Sequence, residues 1–215
     1  MGDEVRRNGR MLSRVADSLY WMSRNFERAQ QNARILDVHL TQIVEAAGDE
    51  LANQEHWRLI FNICSTEEEL ERLKGEDKGE DELLTYLAFD VNNPNSLYNC
   101  VCIARENARL TRDHIPNELF EIWNDTFLFA RDAKKETYSR QNLKGFLRSI
   151  RMAALTTHGI IDSAMTRNIP YQIIKIGRWL ERAEKTARIL NVVCEKTKET
   201  LSMKITMHGS LLYVC

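Results

Sequence analysis

Proline and glycine are scarce: 3 and 9 in 215 residues. Long stretches contain neither, which excludes the turn-rich alternation of an all-β sandwich or barrel and favours helices. No apolar run approaches the roughly 18 residues needed to span a bilayer, so no membrane-spanning helix is expected. The N-terminus, MGDEVRRNGR, is charged and lacks the apolar centre of a signal peptide. Neither sign of charge is in excess, with 30 Lys and Arg against 31 Asp and Glu. The formal net charge of −1 provides no global field toward nucleic acid or an anionic membrane. The five cysteines (Cys64, Cys100, Cys102, Cys194 and Cys215) have no CxxC spacing. They read as reduced thiols of a cytoplasmic protein, mostly small core residues.

What remains is ordinary globular material, 43% hydrophobic and 28% charged, enough for one domain with a substantial core. The strongest local pattern runs from Leu12 to Ala47. Leu12, Val15, Leu19, Met22, Phe26, Ala29, Ala33, Leu36, Leu40, Ile43 and Ala47 follow at alternating steps of three and four. Such a stripe keeps one side of a long helix against partner helices. Ser13 is placed to cap its start and Gly48 to stop it.

Downstream the pattern stays helical. Glu55–Cys64 is amphipathic. Thr66 and Glu69 have the spacing of a capping box and open a short helix ending near Lys74. GEDKGED (75–81) reads as a loop, 82–90 as a helix and VNNPNS (91–96) as a turn. A helix is expected from about Asn95 to Asp113, and another from Pro116 to about Thr137. Ser139 is placed to cap a helix over 140–165, and Pro170 to open the last long one.

That last helix copies the first. Between residues 24–38 and 178–192, nine of fifteen positions are identical: an Arg, then Glu-Arg-Ala, then Ala-Arg-Ile-Leu and a final Val. Average composition gives roughly one identity by chance. The register is copied too, with Ile173, Ile176, Leu180, Ala183, Ala187, Leu190, Cys194, Thr197 and Leu201 on the equivalent seam. A partial echo, ARENAR (104–109), lies between the copies. The fold class expected is all-α: a helical bundle with two long repeat-related helices and shorter helices packed around them.

The repeated charges are the candidate site. Arg24, Glu27, Arg28 and Arg34 recur as Arg178, Glu181, Arg182 and Arg188, and the echo adds Arg105, Glu106 and Arg109. Three arrangements are open. The arginines can converge on a carboxylate or phosphate, which their planar forks grip bidentately, with the glutamates holding them in place. They can form surface ion pairs worth about 0.3–0.5 kcal/mol each. Or they can form a partly buried network that fixes helix register.

Other chemistry has no support. No His has a Glu three residues before it, so the di-iron pattern of helical bundles is absent, and no metal or cofactor is expected. His39, His56, His114, His158 and His208 read as satisfied structural or surface residues. There is no G-x-S-x-G elbow and no glycine-rich phosphate loop. Arg140, Lys144, Arg148 and Arg151 form a basic helix face, but without the interleaved aromatics of a nucleic-acid surface. Trp21, Trp57, Trp123 and Trp179 are expected to be core or interface anchors.

Several segments resemble the Alpha-E family of bacterial helical proteins: MLSRVADSLYWMSRNFERAQQNARILD (11–37), EHWRLIF (55–61), FDVNNPNS (89–96), ARENARLTRD (104–113) and IGRWLERAEKTARIL (176–190). The resemblance covers Met11 to about Lys198. It makes residues 1–10 an extension, expected to be disordered, and 11–202 a single helical domain. MKITMHGSLLYVC (203–215) is set apart as an atypical tail, and the resemblance raises the expectation of a truncated or frame-shifted product. The family implies no established activity. Its genes commonly lie beside those of ATP-grasp-type ligases and transglutaminase-like proteins. The resemblance therefore implies a non-catalytic accessory role with such a partner in making or processing a peptide or amide-linked product. An enzyme acting through the Arg/Glu cluster on an anionic peptide-like substrate is the alternative. On the accessory reading, charge reversal at Arg24 and Arg178 is expected to weaken partner binding without unfolding the protein.

Overall fold

In a computed structural model the structure describes residues 11–45, 50–135 and 140–211. Residues 1–10, Ala47, Gly48, Thr137, Ser139 and residues 212–215 lie outside these. Within the described residues the chain forms α1 (Ser13–Glu45), α2 (Glu50–Cys64), α3 (Glu67–Gly75), α4 (Glu80–Phe89), α5 (Leu97–Leu110), α6 (Asn117–Lys135), α7 (Arg140–Ala164) and α8 (Ile169–Leu211), with a 3₁₀ turn over Arg112–His114. The described residues form helices, turns and bends and no strand, as the composition requires.

Local signals place most boundaries. The Thr66 hydroxyl accepts from the Glu69 amide at 3.3 Å, as the capping box predicts. Ser96 likewise caps α5, accepting from the Asn99 amide at 3.2 Å. Asn93 and Asn99 fold the 91–96 turn by donating to the carbonyls of Tyr86 and Val91. The start of α1 falls one residue earlier than expected: the Leu12 carbonyl accepts from Val15 and Ala16, so Ser13 is already helical. Glu80 and Asp81, expected in a loop, open α4 behind Gly79, where carboxylates suit the helix N-terminus. The last helix continues through residues 203–211, where the apolar pattern is irregular.

Helix α1 is the centre of the bundle, with α2, α5, α7 and α8 packed against it and α6 bridging α5 to α7. Its predicted seam is the core. Leu19, Met22, Phe26, Ala29, Ala33, Leu36 and Leu40 are at most 2% exposed. Phe26 stacks on Trp123 of α6 at 5.3 Å between centroids. The Trp123 indole donates to Thr157 of α7 at 2.9 Å, so a buried polar tip is satisfied. On α7, Leu143, Leu147, Ile150 and Ala154 are buried, whereas Lys144, Arg148 and Arg151 are exposed. Trp21 and Trp179 differ from expectation: they are 40% and 51% exposed, while Trp57 and Trp123 are buried.

The second seam is the main correction: Ile173 packs on the core as expected, the side chain of Leu201 lies outside those described, and the positions between them turn away. Ile176, Leu180 and Leu190 are 54%, 49% and 58% exposed, and Ala183, Ala187, Cys194 and Thr197 also face outward. Helix α8 docks through its other side, burying Ile174, Arg178, Glu181, Lys185 and Val192. The reason is position. Helix α1 has neighbours around it, but α8 is an outer helix whose main contacts are α1 and α2. A sequence copy reproduces a helix's faces, not the helices that cover them.

Candidate functional site

The site lies where α8 crosses α1. Helix α2 returns from α1 as an antiparallel hairpin, with Trp57 edge-on to His39. It also runs antiparallel to α8: Lys185 donates to the Ile63 carbonyl at 2.9 Å, and Lys196 pairs with Glu55 at 2.8 Å. Helices α1 and α8 are therefore parallel, and their Glu-Arg-Ala segments lie level with each other. Gly177 sets the approach. A Cβ there would overlap the Ser23 hydroxyl and lie 2.7 Å from the Tyr20 carbonyl oxygen, so only glycine permits this crossing.

At that spacing the charges clasp reciprocally. Glu181 is 2% exposed, and it takes a two-toothed fork from Arg28, Nε to Oε1 at 2.6 Å and Nη2 to Oε2 at 2.9 Å. Arg24 Nε adds a third bond to Oε2 at 2.7 Å, and another Arg24 nitrogen reaches Glu184. Glu27, with no exposure, is the counterpart. Arg182 donates to its Oε1 at 2.8 Å, Gln31 donates to the same oxygen at 2.7 Å, and Arg178 Nε lies 3.6 Å from Oε2. Each glutamate is thus held by the arginines three before and one after the other glutamate. Charge-assisted bonds of this kind are the form in which a buried carboxylate is tolerated.

The electrostatics follow the geometry. Burial pushes the Glu27 carboxyl up, but contacts from His158, Arg182 and Gln31 outweigh it and hold it at about 2. Burial raises the Glu181 carboxyl as well, and the Arg28 and Arg24 guanidiniums reverse that, leaving it below the usual carboxylate range. Arg178 is the strained member. Burial moves its guanidinium below the ordinary arginine value despite Glu27 and Asp162. Its Nε and Nη1 are buried without a hydrogen-bond partner among the described residues, and Asp162 lies 3.7 Å from Nη1.

The structure unites six of the eleven candidates: Arg24, Glu27, Arg28, Arg178, Glu181 and Arg182. It separates the other five. Arg34 is exposed on α1. Arg188 is half-exposed, 3.9 Å from Glu184. Arg105 turns toward α6, bonding Asn124 at 3.1 Å and covering the Phe127 ring, while Glu106 bonds Arg105 and Arg109. The 104–109 echo shares the spacing of the repeats, but α5 directs it to a different neighbour. The united set is also not an open anion site. Glutamates of this chain fill the forks of Arg24, Arg28 and Arg182, and reversal of Arg24 or Arg178 would break the crossing rather than a free surface.

Three members carried no sequence signal. His158 of α7 places Nε2 3.2 Å from Glu27 Oε2. Asp162 binds Lys175 at 2.8 Å beside Arg178. Asn95 accepts from Arg28 at 3.2 Å, tying the 91–96 turn to the clasp. Each lies far from its partner in sequence and outside any periodic pattern. The expectation of satisfied histidines fails at His39, which is buried with neither ring nitrogen bonded. Among the described residues no three His, Cys, Asp or Glu side chains gather as metal ligands, and no helix is long and apolar enough to cross a membrane.

This geometry gives structural content to a comparison of sequences. The profile of a family named Alpha-E, described as a predicted alpha-helical domain with a conserved ER motif, matches residues 11–215. The chain belongs to the Alpha-E family. No curated protein and no solved structure matches it. Glu-Arg occurs at 27–28, 71–72 and 181–182 in this chain. Arg72 is exposed and bonds its own helix neighbours Glu69 and Glu76. In this Alpha-E protein the other two Glu-Arg pairs face each other and lock the long helices together.

Proposed function

We propose that this Alpha-E protein is a non-catalytic accessory protein, working with an ATP-grasp-type ligase, a transglutaminase-like protein or both on a peptide or amide-linked product. The observation that carries the reading is the closed clasp. The most distinctive charges of the chain bond to one another at a half-buried helix crossing around two buried glutamates, so they rigidify a scaffold rather than bind a substrate. What the scaffold offers outward is docking surface, including the exposed basic face of Lys144 and Arg148 on α7. The resemblance to family members encoded beside such enzymes supports the partner class. Affinity purification from the native cells with mass spectrometry tests it. A stoichiometric ligase or transglutaminase-like protein is expected, reduced by Lys144→Glu/Arg148→Glu. Turnover of an anionic peptide by the isolated protein, with no such companion recovered, would replace this reading with an enzyme.

A further inference from the structure

The outward stripe of α8 is a feature that the clasp leaves unused. From Ile176 to Cys194 it covers about 27 Å of helix at 1.5 Å per residue. Ile176, Trp179, Leu180, Leu190 and Val193 are each about half exposed. Together with Ala183, Ala187 and Cys194 they offer on the order of 600 Å² of apolar surface. That is the upper end for a monomer, and close to the about 800 Å² per partner of a standard interface. A solvated helix face would carry charges at these positions, yet the stripe keeps the spacing of three and four that seats one helix on another.

We infer that this stripe is a dimer interface, occupied by α8 of a second copy running antiparallel. The stripe is self-complementary. Turned end for end, its side chains meet in size-matched layers: Ile176 on Cys194, Leu180 on Leu190 and Ala183 on Ala187, each pair occurring twice about a two-fold axis that crosses the stripe at the level of residues 185 and 186, with Thr186 on its edge. The two alanine layers at the centre let the backbones approach closely. Trp179 then covers Val193 of the other copy along one edge. Charge agrees with the same register. On the other edge Arg188 and Glu184, which also accepts from Arg24 of its own chain, are both half-exposed, and the antiparallel arrangement brings Arg188 of each copy within reach of Glu184 of the other. A contact of this kind is isologous and closes at two subunits. It buries the apolar face and leaves the contacts of Glu27 and Glu181, on the opposite side of α8, in place.

Sedimentation equilibrium of the full chain tests the inference, independently of any ligase. A dimer across the micromolar range is expected. Leu180→Glu/Leu190→Glu should convert it to monomer with unchanged helicity, because both side chains are on the surface. Orientation is read by a disulfide. Thr186→Cys in a Cys194→Ser background should cross-link two copies on mild oxidation, since residue 186 lies at the axis. A monomer at every concentration overturns the proposal, as does a dimer that survives Leu180→Glu/Leu190→Glu. A monomer that binds a different protein through the stripe also overturns it. Cross-linking of the unsubstituted chain through Cys194, with none through residue 186 in the variant, overturns the antiparallel arrangement.

Discussion

Ser23 and Gly177 occupy the same position in the two repeat copies, and they are also each other's neighbours across the α1–α8 crossing. Equivalent residues of two parallel helices touch only if a local two-fold axis runs between them. That axis explains the reciprocity of the charges: whatever Arg24 and Arg28 do to Glu181, Arg178 and Arg182 are placed to do to Glu27. The copies are not identical at the axis. Ser23 folds its hydroxyl back to donate to the Tyr20 carbonyl at 2.9 Å, and Gly177 leaves room for both.

Gly177→Ala should therefore destabilise the protein. Ordinarily glycine to alanine inside a helix gains up to about 1 kcal/mol. Here the new methyl meets backbone, which cannot swing aside, and a net loss of about 1–3 kcal/mol in urea unfolding is expected. Adding Ser23→Gly should recover part of it, because one of the two collisions disappears. A more stable Gly177→Ala protein would show that the helices do not cross this closely.

The clasp predicts a sharp division among residues that look alike in sequence. Glu181→Gln leaves the half-buried Arg24 and Arg28 forks facing a neutral, buried amide and should cost about 3 kcal/mol, with Glu27→Gln comparable. Arg34→Ala and Arg109→Ala, on exposed positions, should stay within about 0.5 kcal/mol. Equal effects across both groups would contradict the assignment.

A double-mutant cycle separates pairing from packing. Glu27→Ala and Arg182→Ala remove opposite ends of one 2.8 Å contact, and their effects should fall short of additivity by about 0.5–3 kcal/mol. Additive losses would mean that the two side chains matter separately and that the ion pair does not join the helices.

Much of this was legible because it is local. The α1 seam, the Thr66–Glu69 cap and the 91–96 turn each depend on residues a few positions apart, where periodicity and side-chain chemistry decide. The repeat was legible because identity survives at matched positions. The face on which α8 docks was not. Its apolar stripe says that one side suits a helix, but not that α1 is met with the charged side. The reason lies in the glycine: close approach at Gly177 lets short, fork-like ion pairs replace interdigitated leucines. His158 and Asp162 reach their partners from another helix, and no pattern along the chain marks that. Arg105 and Arg109 show the opposite error, a motif-like spacing that α5 turns toward Asn124 and Glu106 instead.

Acid should unfold the protein in two steps of different origin. Burial, with His56 nearby, lowers His39 to about 4 from an ordinary 6.5, so between those values protons bind the unfolded chain more strongly. Stability falls as pH drops through that window, by about 3 kcal/mol in all, and His39 contributes no further change below it. Glu27 acts lower. Its carboxyl, at about 2 against an ordinary 4.5, contributes stability fully above pH 4.5 and loses it as pH falls toward 2, again by about 3 kcal/mol. Glu181, also depressed, adds to the lower step. Urea unfolding from pH 7.5 to 3 reads both. His39→Leu should flatten the upper window and leave the lower, because an apolar side chain beside Trp57 has no proton to take up. Glu27→Gln should do the reverse on a less stable background. If the wild-type slope between 6.5 and 4 persists in His39→Leu, the upper step belongs to another group, and His39 is not held neutral by its burial.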